Sequence, residues 1–213
     1  MLPADVEAFI ITESGQTQAV DTLTTRFTEF TVGTNGPAAM PGDLPPTVAY
    51  TYAIELGAAE ARAKQAGRDV LLSTTGCFYV ENFLGFAAGT VAPVGYYDRE
   101  RAAWIPSRNG LVIDLKGAAD GKAKIDVNGD GAADSEAVLA ALGFTDAERR
   151  MLAREYAATQ SLWRVPVEHF STYDVNWPWN NPPWAEPPKT RRQEIQSERV
   201  DRATQERGWG TVA

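Results

Sequence analysis

Between Ile125 and Glu136 the chain runs I-D-V-N-G-D-G-A-A-D-S-E, and no other stretch spaces oxygen donors so regularly. Asp126, Asn128 and Asp130 occupy positions 1, 3 and 5 of a loop. Gly131 follows at position 6, where a calcium loop turns sharply and glycine does so at least cost. Ala132 offers a backbone carbonyl at position 7, and Asp134 a carboxylate at position 9. Every donor is a hard oxygen, a set that suits calcium and not zinc or copper. Position 12 is Ala137, where a full-length calcium loop carries a bidentate Glu, so the pattern is the shorter D-x-N-x-D-G-x-x-D. Glu136 or a more distant carboxylate would have to complete the shell. The plain alternative is an Asx-rich turn without metal, because Asp and Asn side chains bond the backbone a residue or two on. The expectation is one calcium ion held by Asp126, Asn128, Asp130, the Ala132 carbonyl and Asp134.

Other constellations are weaker. Glu81, Asp98, Glu100 and Asp114 are scattered carboxylates with no readable pairing, so a solvated face is expected rather than a glycosidase pair. Trp163, Trp177, Trp179 and Trp184 could form a sugar-stacking platform, which would make the chain a carbohydrate-binding sandwich. Prolines lie among the last three, and aromatic–proline packing of a C-terminal arm is the blander account. The single cysteine, Cys77, excludes an internal disulfide and is expected as a small buried hydrophobe at a strand start. No glycine run forms a phosphate loop.

Composition sets further bounds. The chain has 213 residues and a formal net charge of −8, which disfavours nucleic acid as a partner. No run is apolar for long enough to span a membrane as a helix. The first residues, M-L-P-A-D-V-E-A-F-I-I, lack the basic stretch and apolar core of a secretory leader.

The elements that must position the loop are mostly strands. Alternation and short apolar runs predict strands at Val6–Ile11, Arg26–Val32, Val48–Leu56, Val70–Ser73, Phe78–Phe83, Thr90–Asp98, Ala102–Ile105 and Leu111–Leu115. A long Gly/Pro connection occupies Gly33–Pro46, and a short helix Ala58–Ala66. Two helices follow the acidic loop: Ser135–Leu142, then Thr145–Tyr156 with a capping box of Thr145 and Glu148. A last strand is expected over Leu162–Tyr173, with Pro166 marking it as an edge. The fold class is therefore mainly β, sandwich-like, with a few short helices after the loop. Residues 1–176 form this module, 177–188 an extended Pro/Trp arm, and 189–213 a charged segment expected as a solvated helix or disorder.

Three long blocks carry a resemblance: F-T-E-F-T-V-G-T-N-G-P-A-A-M-P-G-D-L-P-P-T-V-A-Y-T-Y-A-I-E-L, Y-V-E-N-F-L-G-F-A-A-G-T-V-A-P-V-G-Y-Y-D-R-E-R-A-A-W-I-P-S-R-N-G and S-L-W-R-V-P-V-E-H-F-S-T-Y-D-V-N-W-P-W. Together they cover most of residues 26–179. They resemble a block in large bacterial Rhs/YD-repeat proteins, the teneurin-like and polymorphic-toxin group. The resemblance implies a β-rich accessory module of a secreted or cell-surface protein, working beside the other domains of that protein or its shell. Aspartate-rich loops such as Asp126–Asp134 fit that setting. The chain carries no YD repeats and no toxin domain, and its N-terminus begins inside the block, so the module is expected to be incomplete there.

A second resemblance concerns His169-Phe170-Ser171. The strand that ends in this triplet looks like the closing strand of the sandwich domain of ankyrins and netrin receptors. In some relatives of that domain the triplet cleaves itself between Phe and Ser. That chemistry would need Ser171 Oγ to attack the Phe170 carbonyl, His169 to take the hydroxyl proton, and a strained peptide between them. His169 is the only histidine. The favoured expectation is a non-catalytic, calcium-stabilised structural module. Its rival is a module that cuts itself at Phe170–Ser171.

Overall fold

Apolar residues at every second position build two antiparallel sheets, each burying one face against the other. The computed structural model describes residues 6–11, 14–30, 36–45, 48, 50–59 and 70–177. In chain order the strands are β1 (Ala8–Ile11), β2 (Thr17–Val20), β3 (Thr25–Glu29), β4 (Tyr52–Ala58), β5 (Val70–Glu81), β6 (Val91–Ala92), β7 (Val94–Asp98), β8 (Ala103–Pro106), β9 (Gly110–Ala119), β10 (Lys122–Asp126), β11 (Ser161–His169) and β12 (Thr172–Val175). The larger sheet has the order β10-β9-β11-β5-β1-β2, with β6 on β9; the smaller has the order β3-β4-β12-β7-β8. The fold is mainly β and sandwich-like, as the alternation predicts.

Tyr52, Ile54 and Leu56 of β4, Tyr173 and Val175 of β12, and Trp163, Val165 and Val167 of β11 meet between the sheets. The larger sheet buries its other face as well. Ile113, Leu115, Ile125 and Leu162 pack there against Leu139 of α1 (Glu136–Ala141) and Leu152 of α2 (Asp146–Glu155). The described elements thus form three layers, two sheets and a helical pair. Adjacent residues Leu162 and Trp163 of β11, both fully buried, point into different cores.

Both helices start where the sequence places them. Ser135 caps α1, its hydroxyl accepting from Val138 N–H. Thr145 and Glu148 form the predicted capping box of α2. Several strand expectations need correction. β5 is one strand of 12 residues, not two, because Gly76 continues the ladder instead of breaking it. Cys77 is buried, but in mid-strand. The expected strand Leu162–Tyr173 is two strands in different sheets: β11 ends at His169 and β12 begins at Thr172. Nor is β11 an edge strand, since it lies between β9 and β5. Its β9 ladder runs only from Ser161 to Arg164, so Pro166, beyond it, removes no donor from that side. The helix expected at Ala58–Ala66 lies outside the described residues beyond Ala59, and Ala58 itself closes β4. The arm beyond Trp177 and the charged segment 189–213 also lie outside them.

Candidate functional site

The acidic loop leaves the sheet at the end of β10 and returns into α1. Asp126, its first residue, is 1% exposed. Its Oδ1 accepts from the backbone N–H of Asn128 at 3.1 Å and Gly129 at 2.7 Å, and its Oδ2 from Gly131 at 2.8 Å. Burial works against the charge on Asp126, but these backbone donors outweigh it, with help from Lys116, and hold the carboxyl below its ordinary value. Lys116 Nζ stands 3.7 Å from Asp126 across the β9–β10 ladder and 3.2 Å from Asp114 on its own strand. Asp134 closes the loop: its Oδ2 accepts from Val127 N–H at 2.8 Å, and its own N–H donates to Ile125 O. Asn128 Nδ2 donates to Asp130 Oδ2 and to Asp134 Oδ1, each at 3.2 Å. Ala132 N–H reaches Asp130 Oδ1 at 2.8 Å.

Gly129 and Gly131 both take positive φ, 80° and 85°. A Cβ on Gly129 would also stand 2.6 Å from the carbonyl oxygen of Ala88, while around Gly131 there is open space. The expected donors Asp126, Asn128, Asp130 and Asp134 are therefore drawn into one tight turn. Among the described residues, however, no three His, Cys, Asp or Glu side chains form a group close enough to hold a metal ion. Glu136, a candidate closing ligand, is turned away onto Arg149. The loop satisfies its own carboxylates with backbone donors and the Asn128 side-chain amide.

His169, Phe170 and Ser171 lie where the chain crosses from one sheet to the other. Phe170 N–H donates to Val70 O in the larger sheet, and Ser171 O accepts from Leu56 N–H in the smaller. Ser171 Oγ donates to Tyr97 O at 3.2 Å, not to His169. The His169 ring lies against Tyr96 and Tyr173, and Tyr173 Oη donates to the His169 carbonyl at 2.8 Å. Among the described residues, only Ala102 and Asp120 combine a side chain with positive φ, so the triplet lacks that form of strain.

The proposed sugar platform is not assembled by Trp163. That ring is fully buried and packed at an angle among Phe83, Phe86 and Trp177, with its Nε1 on Asn82 Oδ1 at 2.8 Å. Trp179 and Trp184 lie outside the described residues. Of the scattered carboxylates, Asp98 accepts from the N–H groups of Glu100 and Arg101 in a turn, and Asp114 pairs with Lys116.

Sequence reasoning missed one polar cluster. Arg164 of β11 grips Glu148 of α2 in a two-pronged bond, Nε to Oε1 at 2.7 Å and Nη2 to Oε2 at 3.1 Å. Tyr79 Oη also donates to Glu148. Arg164 further donates to the carbonyls of Leu142 and Gly143 at the turn between the helices, and its guanidinium lies 4.1 Å over the Phe144 ring. Burial opposes the Arg164 charge, and the Glu148 hydrogen bond together with the neighbouring charges more than offsets it. The capping box identified Glu148, but its partners come from strands far away in sequence. No family model matches the chain, and no curated protein and no solved structure matches it. No described helix is long and apolar enough to cross a membrane.

Proposed function

We propose that this chain is a non-catalytic structural module, stabilised by calcium at the Asp126–Asp134 loop, that serves as an accessory part of an Rhs/YD-repeat-type protein at the cell surface or outside the cell. The observation that carries the metal part is the convergence of Asp130 and Asp134 on one Asn128 amide. A cation entering beside Asn128 would replace two hydrogen bonds with stronger charge contacts, and Asp126 is already anchored at the loop's base. Lys116 is a counter-charge that limits affinity, so binding suited to calcium-rich surroundings is expected. The three sequence blocks support the wider setting. The non-catalytic part rests on the Ser171 hydroxyl, which donates to Tyr97 O and is not positioned on His169.

Ligand binding to the folded state alone adds about 2.7 kcal/mol at a hundredfold excess over Kd. At about 2–4 °C per kcal/mol for a chain of this size, millimolar calcium should raise the melting temperature by several degrees over chelator. Asp130→Ala, at an exposed position, should abolish that rise. Identical melting curves with calcium and with chelator would leave the loop as a metal-free turn. Intact mass tests the rest: a single full-length species is expected. Two fragments meeting at Phe170–Ser171, absent from Ser171→Ala, would replace this reading with self-cleavage.

A further inference from the structure

We propose that the pocket between β5, β11 and the α1–α2 turn binds a small anion with several acceptor oxygens, a phosphate ester or a dicarboxylate. The pocket measures about 360 Å³, within the range of small-molecule sites. An irregular ladder opens it. The β5–β11 register passes from Gly76 opposite Val167 to Leu71 opposite His169, which leaves Thr74 and Thr75 without β11 partners on the pocket wall.

The charge of the lining is positive. Glu148 and Arg164 cancel one another. Arg108, exposed on the β8–β9 connection, lines the mouth and makes no ion pair among the described residues. Cys77 adds no negative charge, because burial pushes its thiol up to about 11. A chain with net charge −8 thus has a locally positive hollow.

Donors are available there. A guanidinium has five N–H groups. The bonds of Arg164 to Glu148, Leu142 and Gly143 engage four of them, leaving one on Nη1 with no described partner. Thr145 Oγ1 accepts from Glu148 N–H and keeps its own proton to give. A buried ion pair contributes little net stability over an apolar packing of equal volume. Here it holds a planar donor rigidly on the pocket wall, and that rigidity lowers the ordering cost of binding.

The test is an NMR titration of the full-length chain at constant ionic strength, with inorganic phosphate and separately with succinate. Saturable shifts are expected at the amides of Thr74, Thr75 and Thr145 and at Arg108 Nε for at least one anion, and whichever binds names the head group. The 126–134 amides should stay still, which separates this site from the calcium loop. Arg108→Ala should weaken binding at least about tenfold, equivalent to about 1.4 kcal/mol, while Arg108→Lys retains part of it as a point charge. Arg108 is exposed, and an unchanged melting temperature verifies that the variant folds. Absence of shifts with both anions, undiminished affinity in Arg108→Ala, or shifts scattered over all surface cations would each overturn the proposal.

Discussion

Asp126 and Asp174 are both buried carboxylates, and they tilt stability with pH in opposite directions. Asp126 is held below its ordinary value of 3.8 by backbone donors that overcome its burial. Its contribution is fully present above the unfolded value and is lost as pH falls through the lower folded value. Asp174, on β12, has Oδ2 on Asn176 Nδ2 at 3.0 Å, while its Oδ1 is buried without a hydrogen-bond partner. Burial raises its value, with Asn176 pulling the other way. The folded state therefore favours its protonated form; that stability is present below the unfolded value and is lost as pH rises through the folded one. Melting temperatures of Asp126→Asn and Asp174→Asn across acid to neutral pH, in chelator, should diverge accordingly. Relative to wild type, Asp126→Asn loses ground as pH rises and Asp174→Asn gains it. A pH-independent offset for either variant would contradict the assignment for that residue. The backbone-anchoring role of Asp126 was legible only as the plain alternative to a metal site, an Asx turn, because its backbone donors lie within five residues. The role of Asp174 was not legible, because its burial is made by β4 and β7, strands distant in the chain.

At the scale of the element, the acidic loop separates two costs of adding a methyl group. Gly131→Ala meets open space but must hold positive φ, at about 1–2 kcal/mol. Gly129→Ala carries the same penalty plus collision with the Ala88 carbonyl, so it should be clearly the more destabilising in chemical denaturation. Equal losses would mean that the Ala88 backbone yields freely. Local grammar makes the loop and the capping box readable from the amino-acid sequence, since each is fixed by residues a few positions apart. Two strands stayed hidden. β2, T-Q-A-V, is almost wholly exposed, and β10, K-A-K-I-D, is short and runs straight into the loop. Pro166 misled for a physical reason: an interior strand has a local edge wherever one neighbour's ladder stops.

Across the whole molecule, β11 joins the layers, with Leu162 facing the helices and Trp163 and Val165 facing the second sheet. The two cores should therefore be lost together. Methyl resonances of Leu152, under the helices, and of Val165, between the sheets, are expected to share one denaturation midpoint. Separate midpoints would show that the helical layer melts by itself. The partition into two sheets was not legible, because it depends on pairings such as β5 with β1 and β12 with β4, which no local pattern encodes. The sheet switch at Phe170–Ser171 also has a mechanical meaning. β12 is flanked by β4 and β7, with an antiparallel ladder on each side, and Asn176 Oδ1 just beyond it accepts from Thr51 and Tyr52. A tether pulling on the backbone at Trp177 along the strand must shear both ladders at once, since neither can unzip one bond at a time. Tension would reach β11 only after β12 had torn free, making this side of the sandwich an anchor against a steady pull.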